Sequence, residues 1–178
     1  MRLLRTIRLD PSDRFIFPKA SEPGEWAVSG AFVFSDDDLT TLEGKHRAAF
    51  RGGFLGIPSL GWSTLAQIVD ADADDRAAAI EALARCLQSH FGAPSSAAAR
   101  AAAEEEIDFA SSLCNHSKNT LIGVHRDHED GAIRESFRAL RPRAGSHPFH
   151  GLAVLEAVAD EEPGEAGKSP TAGRETRK

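Results

Sequence analysis

The chain has 178 residues, of which 41% are hydrophobic and 27% charged, and it carries a formal net charge of -6 at pH 7. That apolar share is enough to close a core, so global disorder is excluded, and the length suits one domain. An acidic balance excludes a surface that attracts nucleic acid or anionic lipid as a whole, so neither is expected as a partner.

No apolar run reaches membrane-spanning length. At the N-terminus Arg2, Arg5 and Arg8 interrupt the hydrophobic residues too often for a secretory leader, so a cytoplasmic location is expected. Cys86 and Cys114 are too few for a disulfide framework and are expected as buried free thiols on helices.

In chain order, Leu3 to Leu9 reads as a first strand ended by the turn-forming run Asp10-Pro11-Ser12-Asp13, and Arg14 to Phe17 as a brief second strand. Trp26, Val28, Gly30, Phe32 and Phe34 alternate with smaller residues, which predicts a strand over 26–34. A helix over 39–50 follows, stopped by Gly52-Gly53 and capped by Asp38 or Thr40, with Glu43 completing a capping box. Trp62 to Val69 reads as another strand. The next helix is capped by Asp74 and buries Ile80, Leu83, Leu87 and Phe91. Gly92-Ala93-Pro94 breaks it, and Ser95 or Ser96 caps an Ala-rich helix running through Ile107 and Ala110 to Cys114. Thr120 to His125 is strand-like. The spacing Ile133, Phe137, Leu140 fits a helix, with a hairpin turning at Asp130-Gly131 as the alternative. His150 to Ala159 forms a last strand or helix.

One internal echo stands out: a tryptophan-led strand, an acidic loop and a helix occur twice, at Trp26 with Asp36, Asp37 and Asp38, and at Trp62 with Asp70, Asp72, Asp74 and Asp75. If each helix returns the chain within one sheet, the two strands are parallel neighbours and both acidic loops share one edge. Asp36, Asp37 and Asp72 are then candidate oxygen ligands for Mg²⁺ or Ca²⁺. Helix capping accounts for the same carboxylates without a metal.

Gly52-Gly53-Phe54-Leu55-Gly56 follows a helix and precedes a strand, the wrong order for a phosphate cradle. Cys114, His116, His125, His128, His147 and His150 match no zinc spacing, and on a strand His125 and His128 point to opposite faces. No Gly-x-Ser-x-Gly elbow, Cys-x-x-Cys or Walker run is present, and Cys114 with His116 or His125 is a pair in composition only. Arg134, Arg138 and Arg141 would line one side of a helix as an anion or acidic-partner site; the interleaved Asp127, Glu129, Asp130 and Glu135 also suit a solvated, salt-bridged face.

Residues 1–10, Glu22 through Phe32, Gly61 through Leu65 and Glu129 through Arg134 together resemble a family of small uncharacterised proteobacterial proteins, a domain of unknown function. The resemblance covers residues 1–143. It implies no established activity, and no catalytic residue is carried over from it.

The fold expected is α+β: a single globular domain over 1–159, with a mixed sheet of about four to six short strands and helices mainly on one face. A disordered polar tail is expected over 160–178. In function, the absence of a nucleophile, a phosphate loop or a metal set points to a non-catalytic accessory or interaction protein with a protein partner and no cofactor, working beside a metabolic or redox enzyme. The alternatives are a divalent-cation-dependent enzyme or ligand-binding protein using the acidic loops, and an anion-binding module using the arginines.

Overall fold

The structure, a computed structural model, describes residues 1–142 and 155–158. Strand β1 (Arg2–Ile7) is followed by the one-turn helix α1 (Asp13–Ile16), β2 (Trp26–Val28), a 3-10 turn (Ala31–Phe34) and α2 (Gly44–Gly52). Then come β3 (Phe54–Ile57), β4 (Trp62–Ser63), β5 (Leu65–Asp70), α3 (Ala73–His90) and α4 (Ser96–Ser112). The last described elements are β6 (Leu121–Glu129), β7 (Ala132–Pro142) and β8 (Leu155–Val158). The expected tail over 160–178 lies outside the described residues, as does the stretch around His147 and His150.

The fold is α+β, a curled antiparallel half-barrel with four helices. Seven strands lie within residues 1–142, and β8 adds to the β7 side, giving the order β4-β3-β2-β1-β5-β6-β7-β8. Every neighbouring pair is antiparallel, which corrects the expected mixed sheet. It also separates the two tryptophan-led strands, because β2 and β4 flank β3 and never pair with each other. The crossover rule requires a helix that runs back along the sheet face between its two strands. Helix α2 packs against β6 instead, so the chain re-enters the sheet at the end it left.

The curl comes from one stretch serving two strands. Residues 62–63 pair with β3 while residues 65–70 pair with β1, and β2 joins β1 to β3. Thr64, at the break, has its backbone N–H and hydroxyl held by the buried Asp13 carboxylate, with the hydroxyl bond at 2.5 Å. Fully buried Ser63 shares its one hydroxyl proton between the carbonyls of Ile7 and Leu65, at 2.9 and 2.8 Å. These side chains supply the partners that a broken ladder cannot. That demand explains why 13–16 is a helical turn and not the expected strand: the turn brings Asp13 under the break.

Register places Leu4, Ala66, Ile68, Ile122, Val124 and Ala139 on one face, all buried, together with Phe137, which meets Phe109 of α4 edge-to-face at 5.7 Å. Helices α3 and α4 pack on each other to cover this face, burying Ile80, Leu83 and Leu87 from one and Ala99, Ala103, Ile107 and Ala110 from the other. The small residues of α4 let the helices approach closely. Ser95 caps α4, as expected; for α3 the cap is Asp72, two residues before the expected Asp74, in a reciprocal box with Asp75.

The strand expected over 26–34 stops at Val28. Gly30 has φ of +81°, and a Cβ there would lie 2.7 Å from Leu55 Cβ and 3.0 Å from the Trp62 ring, so the chain turns away and 31–34 coils. The helix expected from residue 39 starts five residues later, because Asp38 closes a local turn with the backbone N–H and hydroxyl of Thr40. At 132–140 the hairpin alternative holds: Asp130 and Gly131 have φ of +51° and +78°, the pair of left-handed residues that a two-residue turn between twisted strands requires.

Candidate functional site

Two features concentrate the polar chemistry of the fold, one inside and one on the surface. The interior one is built on Arg126, whose position in β6 continues the inward row Ile122, Val124. It is fully buried. Its Nε donates to Glu135 Oε1 on the partner strand at 2.6 Å; one terminal nitrogen donates to the carbonyls of Phe50 and Gly53 at 2.9 Å each; the other donates to the carbonyl of Ser29 and, at 3.1 Å, to its hydroxyl. Five donors meet five acceptors. Phe50 and Gly53 supply carbonyls from the end of α2, so the guanidinium caps that helix as well as balancing Glu135. Burial pushes the Arg126 pKa down, and Glu135 beside it pulls it back.

Glu106, on α4, approaches the same cluster. Its Oε2 is buried without a hydrogen-bond partner among the described residues. Burial, with the Glu135 charge adding to it, pushes the Glu106 carboxyl up to about 7, against the opposing pull of Arg126. The cluster therefore holds two carboxyl groups and one cation, with a proton on Glu106 below about pH 7. Every donor of Arg126 is engaged by the protein itself, so its visible work is to bind the β6–β7 hairpin to α2 and to the end of β2.

The surface feature lies on the opposite face of the sheet. Ile7 pairs with Leu65, Leu65 with Gly123 and Gly123 with Arg138, so four strands contribute one continuous row. A hollow of about 380 Å³ lies at its β6–β7 end, bordered by Gly123, His125, Ser136, Arg138 and Leu140. A second hollow, of about 180 Å³, lies at the β1 end beside Ile7, Leu9, Ile16 and Leu65. Leu65 borders the second and stands beside Gly123 of the first, where a Cβ on Gly123 would meet Leu65 Cδ2 at 3.6 Å. Leu9 is 53% exposed, Phe15 73% and Ile16 42%, so the β1 end presents apolar groups to water.

The predicted site residues distribute as follows. Asp36 and Asp37 are exposed in the turn after the 3-10 segment, and Asp36 borders a groove with Leu87, His90 and Phe91 at the C-terminal end of α3. Asp72 caps the N-terminal end of that same helix. An 18-residue helix separates them by about 25 Å, beyond the reach of one cation. Among the described residues no three His, Cys, Asp or Glu side chains gather as a metal set.

Arg134 and Arg138 share a face, as expected, but of strand β7 and not of a helix; Arg134 pairs with Glu129 at 2.9 Å. Arg141 lies at the end of β7, opposite Glu156. Strand β6 runs through both His125 and His128, so these two face apart. His125 instead meets Asp127 at 3.0 Å. Cys86 and Cys114 are buried free thiols, and burial pushes the Cys114 thiol up to about 11.

From sequence, Arg126 and Glu106 are not marked out, and Glu135 reads as part of a solvated, salt-bridged face. A signal was available for the first: an arginine in the period-two inward register after Ile122 and Val124 is a buried cation if the strand continues. Glu135 then follows from hairpin pairing. Nothing local marks Glu106 among Glu104, Glu105 and Glu106. The outer row needed the strand order, since Ile7, Leu65, Gly123 and Arg138 are far apart in the chain.

No helix among the described residues is long and apolar enough to cross a membrane. Comparison with curated proteins and with solved structures finds no match. A family model does match, over residues 1–156, further than the resemblance seen in the sequence. The chain therefore belongs to that family, a family of unknown function (DUF6505).

Proposed function

We propose that the protein is a non-catalytic interaction protein that holds a segment of another protein on the outer row Ile7, Leu65, Gly123, Arg138. The observation that carries this reading is the continuity of the row: two hollows on either side of Leu65, with exposed aliphatic groups at one end and an exposed guanidinium at the other. Apolar surface beside an exposed charged group is the composition of a recognition face. The interior charged cluster supports the same reading, because it rigidifies the hairpin that presents the row.

Site-specific photo-crosslinking in the native host tests it. A photoreactive residue in place of exposed Ser136 is expected to trap one protein in stoichiometric amount, and the same residue in place of exposed Glu105 on α4 to trap none. Adding Gly123→Leu, which fills the hollow, is expected to abolish the adduct. An adduct that survives Gly123→Leu, or equal adducts from both positions, overturns the reading. The trapped protein's identity also decides whether the partner is a metabolic or redox enzyme.

A further inference from the structure

Resting on that reading, we infer that the segment bound on the outer row carries an acidic side chain followed at alternate positions by two aliphatic ones, in the order acidic-x-aliphatic-x-aliphatic. The argument is one of charge and spacing. Around the hairpin other guanidinium groups are already matched: Arg134 with Glu129, Arg51 with Asp127 and Arg126 with Glu135. Arg138 has no ion-pair partner among the described residues, and it borders the larger hollow beside the Ser136 hydroxyl. A guanidinium there recognises a carboxylate through two parallel donors.

The far end of the row is mainly aliphatic, with a carboxylate at its rim. Asp10 borders the smaller hollow, where hydrogen bonding from the Ser12 side chain and then from its backbone N–H holds the Asp10 carboxyl below the ordinary range. The aliphatic part of the segment suits exposed Leu9 and Ile16 at that end, and its carboxylate suits Arg138 at the other, which sets the direction in which the segment lies.

Spacing supplies the rest. Neighbouring strands lie about 4.8 Å apart, so the backbone of Ile7 is about 14 Å from that of Arg138 along the row. An extended peptide advances about 3.3 Å per residue and turns alternate side chains to the same side. With its carboxylate on Arg138, the second side chain on that side falls near Gly123 and Leu65, and the third near Ile7, Leu9 and Ile16. Gly123 lacks a side chain where the second one must sit. Leu65 and Leu140 stand beside it.

The test titrates the ¹⁵N-labelled full chain with three synthetic peptides, acetylated and amidated: Glu-Ser-Leu-Ser-Leu, its Lys-Ser-Leu-Ser-Leu counterpart, and the reordered Leu-Leu-Ser-Ser-Glu. The first is expected to shift the amide resonances of Leu65, Gly123 and Arg138 at millimolar concentration, at least tenfold more tightly than the other two. In Arg138→Glu the preference is expected to reverse toward the lysine peptide. Equal binding of the glutamate and lysine peptides, binding of the reordered peptide with equal strength, or no response to the first peptide overturns the inference. The crosslinking result stands apart from it, since a partner trapped through Ser136 that lacks such a segment removes this inference and leaves the docking face in place.

Discussion

Arg126 and Glu135 are direct partners across the β6–β7 ladder, and their ion pair at 2.6 Å is where the hairpin, the end of α2 and the end of β2 meet. A buried pair of this kind is not in itself a large source of stability, because desolvation offsets much of the attraction. Breaking it from one side is costly. Arg126→Leu leaves Glu135 without its cation and three backbone carbonyls without donors, and is expected to lower unfolding stability by about 3–5 kcal/mol. Adding Glu135→Leu is expected to recover part of that loss. Urea unfolding of both variants measures it, and a loss under about 1 kcal/mol in the single variant contradicts the assigned role.

Glu106 gives a pH dependence with a definite sign. Below the ordinary carboxyl value of 4.5 it is protonated in both folded and unfolded chains and contributes nothing. Between 4.5 and about 7 the unfolded chain ionises while the folded one keeps its proton, so the penalty on folding grows; above about 7 it is constant. Glu106→Gln is therefore expected to match the parent near pH 4.5 and to exceed it by about 1–3 kcal/mol at pH 8. Melting curves across that range check it. A gain that is equal at both pH values would show that the substitution acts through packing.

Asp13 stabilises the break between β4 and β5 through Thr64. Asp13→Ala removes these acceptors at a buried position and is expected to cost about 1–3 kcal/mol. Hydrogen exchange locates the effect, with faster exchange at Thr64 and Leu65 and little change in α3 or α4.

Three glycines separate steric need from open space. A Cβ at Gly53 would lie 2.7 Å from the Trp62 ring and 3.0 Å from the Ala49 carbonyl, and one at Gly30 would meet Leu55 Cβ at 2.7 Å in a left-handed backbone. Alanine at either is expected to destabilise by about 2 kcal/mol or more. Gly123→Ala meets only Leu65 at 3.6 Å and is expected to change stability by less than about 0.5 kcal/mol. Thermal melts of the three variants should rank them in that way.

Cys114 is buried, its sulfur 3.3 Å from the Ala110 carbonyl, and its thiol is pushed up to about 11. Thiolate is the reactive form, so labelling by iodoacetamide at pH 7.5 is expected to be slow in the folded protein and fast in urea. Fast labelling of the native chain would contradict this burial.

The elements legible in the sequence are those governed by local chemistry. The strand at the N-terminus, the cap at Ser95, the break at Gly92-Ala93-Pro94 and the alternative turn at Asp130-Gly131 all follow from residues close together in the chain. Where local preference misled, a distant residue had prevailed: Leu55 and Trp62 stop the strand near Gly30, and Thr64 calls for a helical turn at Asp13.

Strand order was open to tertiary structure alone, since an antiparallel ladder gains its hydrogen bonds and buried surface between segments many residues apart. It was strand order that placed Asp36 and Asp72 at opposite ends of α3, buried Arg126 against Glu135, and aligned Ile7, Leu65, Gly123 and Arg138 into one row. Composition and periodicity determined that this chain would form an α+β domain with buried thiols. Which charges would be hidden and which apolar groups would face water was decided by the curl of the sheet.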